Sequence, residues 1–389
     1  MLVRSLGVCS VLFALQLLYY LFIVEFEAIY LTTVTVLFLL LVMFLVFISP
    51  IEHREFSIKH EKIFLIFFLL TFVSTILSSR LDYILSTITF GLAETRNSVP
   101  SKAGGTFSFL NAFFYPLALI ALLTNWRQRL SICLLLPILV IDVIFLGTRN
   151  SVFFVIVFWF IHSVPKLSIK KYALLGLLIV STLVLAFEYT VFERSAVGKE
   201  RQQYWESKID YTHVGSLNST NPELHGLANK VHWGIYPTAH LISYLSHSTS
   251  EFVYFVREAE HKILPSFLHV QDKIRMATFQ DRSLVQEQLA DAKGRYGFYQ
   301  TMFATLQIEL GVFWVPCLFI LLLWFRFGGL VSKIAGSYFV VIFALGLVEN
   351  YLFTGLTIIR FGIFVLLGVF FLRSRTIVKT PKKPETLTT

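Results

Sequence analysis

The sequence has few charged residues and long stretches that contain none. Only 15% of its 389 residues are Asp, Glu, Lys or Arg, whereas a soluble domain carries about a quarter. Hydrophobic residues make up 56% of the chain and occur in long, nearly unbroken runs. A run of about 20 apolar residues crosses the hydrocarbon core as a helix, because a helix satisfies its backbone polar groups internally. The composition therefore excludes a soluble globular enzyme and predicts an integral membrane protein.

Cysteine is also scarce, and no residue pattern indicates a metal site. Cys9, Cys133 and Cys317 all lie in apolar runs, and their spacing indicates neither a disulfide nor a zinc site. His232 and His240 lack the i, i+4 spacing of a helical zinc pair, and no carboxylate follows them at ligand spacing. We therefore expect no metal.

Motifs for nucleotide-dependent and hydrolytic chemistry are missing from the sequence. There is no phosphate-binding glycine loop, no HExxH, no GxSxG and no nucleotide-binding fold. The net charge of +9 would favour nucleic-acid binding in a soluble protein, but here the basic residues lie in short loops between apolar runs. We therefore expect no cofactor and no nucleic-acid partner, and any substrate must carry its own activation.

The basic residues indicate how the chain crosses the membrane. They cluster in the loops at 51–62, 125–129, 165–171 and 326–333 and in the C-terminal tail. If the chain has ten spans, all these segments lie on one side of the membrane, and their excess of Lys and Arg marks that side as cytoplasmic. Both termini are then cytoplasmic, and residues 189–300 lie on the opposite, periplasmic side.

The predicted fold class is all-α, a polytopic transmembrane helix bundle with one large periplasmic loop. The spans expected are 5–24, 29–49, 63–79, 106–124, 130–147, 151–164, 172–188, 302–325, 334–349 and 358–372. The segments are N-terminal transmembrane helices (1–188), the large loop with short helices (189–300), C-terminal transmembrane helices (301–372) and a cytoplasmic basic tail (373–389).

The large loop is predicted to be folded, because Tyr, Trp, Phe and Leu are frequent in it. Residues 234–244 and 251–270 have the pattern of amphipathic helices. Such helices pack on the bundle or lie in the membrane interface.

Charged residues inside or at the ends of spans are candidates for function, because each is costly there unless it is paired or hydrated. Asp142 lies inside the fifth span, and Arg149 lies at its outer end. Glu309 lies in the eighth span, Glu349 ends the ninth, and Arg360 begins the tenth. Two arginines near one outer interface suit a diphosphate, because guanidinium groups bind phosphate oxygens bidentately. The alternatives are a Glu349–Arg360 salt bridge that closes a helical hairpin, and purely structural or anchoring roles for Asp142 and Arg149.

Three motifs spread over most of the chain carry a resemblance to a known family. A Gly-x-Arg element at residues 147–149 stands at an outer helix end, residues 234–246 contain a Tyr-Leu pair, and residues 301–311 begin Thr-x-Phe and end Glu-Leu-Gly. Together with the helix layout and the long loop, they resemble the oligosaccharide repeat-unit polymerases, the Wzy-type O-antigen and capsule polymerases. Glu309 stands where the family has Asp, and Gln307 stands where an aromatic residue is common.

The resemblance implies a nucleotide-independent glycosyltransferase at the periplasmic face of the bacterial inner membrane. It would transfer the growing polymer from its lipid carrier to a new undecaprenyl-diphosphate-linked oligosaccharide. Inner-membrane lipids and a chain-length regulator protein are further partners that it implies. The diphosphate-binding candidates are Arg149, Arg295 and Arg360, and the catalytic candidates are Glu309, His240 and Glu349.

Three other functions fit parts of the same sequence. An O-antigen ligase shares the architecture, and a functional histidine in the long loop would favour it. A flippase or transporter of lipid-linked sugar usually has two similar halves and lacks a long outer loop. A non-catalytic membrane scaffold would leave the outer arginines without a purpose.

Overall fold

The structure is a computed structural model of the chain. It describes residues 2–22, 28–48, 54–77, 79–90, 106–144, 150–163, 252, 264–278, 280–293, 301–348 and 357–376. The predicted span at 172–188, most of the large loop and the end of the basic tail lie outside these residues.

The described part of the chain consists mostly of helices, which confirms the helical fold class. The first seven helices are α1 (Leu2–Phe22), α2 (Ala28–Ile48), α3 (Glu61–Leu77), α4 (Ser79–Phe90), α5 (Thr106–Leu123), α6 (Gln128–Ile144) and α7 (Asn150–His162). The later helices are α8 (Leu268–Ala277), α9 (Ser283–Lys293), α10 (Met302–Leu310), α11 (Trp314–Phe327), α12 (Leu330–Ala344) and α13 (Thr357–Phe371). Strands β1 (Arg54–Ile58) and β2 (Leu372–Thr376) form one antiparallel pair.

Two of the described helical segments are long and apolar enough to cross a membrane, Leu31–Ile48 and Met302–Phe327. Five shorter helices are also apolar: Leu2–Leu17, Leu110–Leu123, Val152–His162, Leu330–Ala344 and Ile358–Phe371. The number of crossings and the periplasmic position of residues 189–300 stay predictions.

Helices α5 and α12 lie at the centre of the core. Residues 114–122 of α5 and 332–344 of α12 are buried without interruption. A helix that is apolar on all sides is stable when other helices or lipid surround it. Helix α5 packs on α3, α6, α7 and α13, while α12 packs on α1, α2, α7, α11 and α13. The two central helices thus fix the arrangement of the others.

Contacts between distant segments bring the basic loops together at one end of the bundle. The guanidinium group of Arg4 donates to the carbonyl of Ile161 (3.1 Å), and β1 pairs with β2 directly after α13. The guanidinium carbon of Arg326 lies 4.7 Å from the ring centroid of Phe47. We call this the basic end; its described loops and the adjoining ends of helices and strands also contain Lys59, Arg127, Arg129, Lys333 and Arg373.

The helices differ from the sequence expectations in three places, and the β1–β2 pair was not expected. Residues 80–90, expected in a loop after the span at 63–79, belong to α4 (Ser79–Phe90). The expected span at 302–325 is broken between α10 and α11, where Gly311 adopts φ 56° and ψ −138°. Residues 264–267 are not helical and α8 begins at Leu268. Pro265 disfavours helical backbone in Leu264, and Phe267 adopts a positive φ of 53°.

Candidate functional site

A tyrosine, an aspartate and an arginine from three helices meet inside the bundle. The hydroxyl of Tyr115 in α5 donates a short hydrogen bond to the carboxylate of Asp142 in α6. The guanidinium carbon of Arg360 in α13 lies 4.9 Å from the centroid of the Tyr115 ring. Tyr115 and Asp142 are each only 3% exposed, and Arg360 is partly exposed. We call these three residues the Tyr115 cluster.

The residues that directly flank Tyr115, Asp142 and Arg360 in the sequence are apolar, while Asn111 lies one turn before Tyr115 in α5. A buried carboxylate is tolerated only when hydrogen bonds or opposite charge satisfy it, and the phenol of Tyr115 supplies one such bond to Asp142. Pro116 and Pro137 lie inside α5 and α6. Each proline lacks an N–H and leaves one carbonyl of the preceding turn without its helical donor. Pro116 directly follows Tyr115, so the interruption of α5 lies beside the cluster, whereas Pro137 lies five residues before Asp142 in α6.

The Tyr115 cluster lies away from the basic end. At 1.5 Å per residue, Tyr115, Arg360 and Asp142 lie about 12, 16 and 21 Å along their helices from that end. Arg360 is one turn inside α13, counted from its opposite end at Thr357. The guanidinium group is thus attached near the end of the bundle opposite the basic end.

A second polar cluster surrounds Glu309 at the end of α10. One carboxylate oxygen accepts the backbone N–H of His269 (2.6 Å) and the other accepts that of Val270 (3.3 Å). These N–H groups belong to the first turn of α8, which has no helical acceptors and attracts negative charge. In return, the N–H groups of Ser266 and Phe267 donate to the Glu309 carbonyl. Helices α8 and α10 thus cap one another.

The imidazole of His269 also contacts the Glu309 carboxylate. Its Nδ1 lies 3.0 Å from a carboxylate oxygen, and the whole residue is 9% exposed. Because an ionised carboxylate only accepts hydrogen bonds, Nδ1 carries the proton in this pair. In the neutral ring the lone pair that can accept a proton is therefore on Nε2. Such a pair has the form of a base with an orienting carboxylate.

Helices α8 and α9 form a hairpin on α10. The guanidinium group of Arg282 donates to both carboxylate oxygens of Asp272 at 2.7 and 2.8 Å, and this hydrogen bonding raises the pKa of Arg282. An apolar cluster joins the hairpin to α10; its members are Leu268, Val285, Leu289, Ala304 and Ile308. A part of the large loop is therefore folded against the bundle, on the side of Gly311 that lies away from the basic end.

Two of the six sequence-predicted site residues lie in the described part of the chain. Glu309 belongs to the α8–α10 junction and Arg360 to the Tyr115 cluster. The other four, Arg149, Arg295, His240 and Glu349, lie outside the described residues. The expected convergence of three arginines on one cavity stays a prediction.

Neither Tyr115 nor His269 was predicted from the sequence to be a functional residue. A tyrosine within an apolar run, directly before a proline, offered a weak signal, because the hydroxyl needs a partner when buried. His269 lies in the large loop among other histidines, and only the fold brings it to Glu309.

Among the described residues, no group of three His, Cys, Asp or Glu side chains is placed to hold a metal ion. The chain matches no protein-family model, no curated protein and no solved structure. Its function has to be inferred from its own residues and their contacts.

Proposed function

We propose that the chain is an integral-membrane glycosyltransferase that joins undecaprenyl-diphosphate-linked oligosaccharide units into a polymer, without a nucleotide. One observation carries the proposal: the Arg360 guanidinium lies over the Tyr115 ring, one turn inside the end of the bundle opposite the basic end. An arginine fixed at this depth suits the diphosphate of a lipid whose chain lies in the bilayer.

The basic loops lie together at one end of the bundle, and this supports an orientation of the Tyr115 cluster in the membrane. Cytoplasmic loops carry the excess of Lys and Arg in membrane proteins, so the basic end faces the cytoplasm and the Tyr115 cluster faces the periplasm. Many large apolar side chains are exposed on the described helices, among them Leu39, Ile66, Ile320 and Leu366. These side chains suit contact with lipid rather than water.

The reaction needs little more than positioning and charge stabilisation. The acceptor hydroxyl attacks the anomeric carbon of the donor sugar, and the bond from that carbon to the diphosphate breaks. The electron pair leaves with undecaprenyl diphosphate, whose growing charge Arg360 stabilises. Such preorganised charge is usually the largest contribution to catalysis.

The acceptor hydroxyl loses a proton during this attack, and His269 is a candidate for the group that takes it. Its Nδ1 is held by Glu309, which leaves Nε2 as the basic nitrogen. In this role Glu309 orients the base and does not itself remove the proton.

The ligase remains the second candidate, because a histidine in the large loop is paired with a carboxylate. Loss of the gene separates the two enzymes. A polymerase mutant still attaches single units to their acceptor, whereas a ligase mutant keeps full-length polymer on the lipid carrier.

Arg360→Lys tests the proposal directly. Lysine keeps the positive charge but loses the planar fork that binds two phosphate oxygens. We expect Arg360→Lys to abolish long polymer in a deletion strain while lipid-linked single units accumulate. Arg326→Lys is the matched control, because Arg326 also lies over an aromatic ring but at the basic end. Unchanged chain length in Arg360→Lys, at wild-type protein levels, would refute the diphosphate role.

A further inference from the structure

The Tyr115 cluster contains more than the arginine that the proposed function uses. Its two other members are more deeply buried than Arg360, and they come from α5 and α6, which are neighbouring helices. Asp142 accepts a hydrogen bond from the Tyr115 hydroxyl, and the Arg360 guanidinium lies over the Tyr115 ring. The carboxylate thus contacts the hydroxyl of Tyr115, and the guanidinium group contacts the ring of the same side chain.

This arrangement restricts where the guanidinium group can lie. A free arginine side chain near a helix end samples many rotamers, and binding it to a ligand costs conformational entropy. The face of an aromatic ring attracts a cation. A phenol that donates to a carboxylate becomes richer in electrons, so its face attracts the guanidinium group more strongly. The buried carboxylate also holds the ring itself in one orientation.

We propose that Tyr115 and Asp142 are positioning residues, which hold Arg360 in the geometry that stabilises the leaving diphosphate. This inference rests on the proposed function, because it concerns the same diphosphate site. Neither residue needs to touch the substrate. Their effect passes through Arg360, and that dependence distinguishes positioning from ordinary packing in the core.

Substitutions can test the contribution of each residue of the Tyr115 cluster. Tyr115→Phe keeps the ring and its packing but removes the hydroxyl that contacts Asp142. Asp142→Asn keeps the size and an acceptor oxygen but removes the negative charge. Ser131→Ala is the control for loss of a buried hydroxyl, because Ser131 is 2% exposed and donates to the Trp126 carbonyl (2.8 Å) far from the cluster.

The test is a double-mutant cycle on the full chain in liposomes, with a lipid-linked oligosaccharide as substrate. We expect Tyr115→Phe and Asp142→Asn each to lower kcat by about tenfold, with little change in KM, because the lost contact matters most in the transition state. In the Arg360→Lys background, the same substitutions should have almost no further effect, since residues that act as one unit are not additive. Ser131→Ala should leave kcat unchanged.

The possible outcomes separate this inference from the proposed function. If Arg360→Lys leaves turnover unchanged, the proposed diphosphate role fails. If Arg360→Lys lowers turnover but Tyr115→Phe and Asp142→Asn reduce it equally in both backgrounds, positioning is overturned and the two residues act independently. Wild-type turnover in both single variants overturns it as well. Melting temperatures of all variants identify any loss that comes from unfolding.

Discussion

The carboxylate of Glu309 illustrates how one buried residue can support either structure or catalysis. It accepts two backbone N–H groups of α8 and contacts the His269 imidazole, and it is only 2% exposed. Leaving such donors without an acceptor costs about 1–3 kcal/mol per group. The capping role therefore predicts a large effect on stability.

Replacing Glu309 tests which role dominates. We expect Glu309→Leu to lower the free energy of unfolding by about 2 kcal/mol or more, because both α8 donors lose their acceptor. Glu309→Gln should lose less, since its amide oxygen still accepts one bond. Thermal unfolding in nanodiscs measures this, with the exposed Glu287→Gln of α9 as control. Unchanged stability in Glu309→Leu would exclude the cap; lost polymer with retained stability in Glu309→Gln would favour catalysis.

At the scale of single residues, the sequence predicted two members of the Tyr115 cluster. Arg360 and Asp142 could be selected because a charge within an apolar run is costly wherever it is found. Their meeting at Tyr115 could not be predicted, since the three residues are separated by 27 and 218 positions along the chain (142 − 115 and 360 − 142). Nothing local in the sequence distinguishes a tyrosine under a guanidinium group from one in ordinary packing.

Among the elements, the apolar runs predicted the helices well, but not their interruption. A glycine within an apolar run is compatible with a continuous helix, so Gly311 carried no clear signal. In the structure it ends α10 with a backbone conformation that other residues rarely adopt. The strand pair was also missed, because two five-residue segments over 300 positions apart carry too little pattern to be matched.

Gly311→Ala tests the break between α10 and α11. A Cβ at φ 56° and ψ −138° is strained by about 1–3 kcal/mol, so the melting temperature should fall. Gly7→Ala in α1 is the matched control, because its added Cβ meets nothing within 4 Å and alanine is favoured in a helix by about 0.5–1 kcal/mol. Equal melting temperatures for the two variants would contradict the break.

Disulfide formation tests the pairing of β1 with β2. Ser57 and Arg373 are directly opposite in the antiparallel register, where Cα atoms lie about 4.5–5.5 Å apart, within the range of a disulfide. In a background without the native cysteines, Ser57→Cys with Arg373→Cys should therefore oxidise readily. Glu55→Cys with Arg373→Cys, offset by two residues, should not. Equal oxidation of both pairs would contradict this register.

In the whole molecule, the basic end is separated along the bundle from the two polar clusters. The N-terminal Arg4, the β1–β2 pair and the Arg326 loop belong to one end, and the Tyr115 and Glu309 clusters lie away from it. The sequence predicted this separation through the alternation of basic loops, and the contacts between distant segments support it. Under the proposed function, a lipid-linked substrate reaches the polar clusters from the bilayer, and the basic loops lie in the cytoplasm.

Reconstitution of the purified protein in liposomes tests the proposed function most directly. Supplied only with undecaprenyl-diphosphate-linked repeat units, and no nucleotide, the protein should form dimers and longer oligomers and release undecaprenyl diphosphate. Arg360→Lys should join the units far more slowly and form no long chains, because the leaving diphosphate is then poorly stabilised. Repeat units that stay single with the wild-type protein, or that cross the bilayer without forming new glycosidic bonds, would contradict a polymerase.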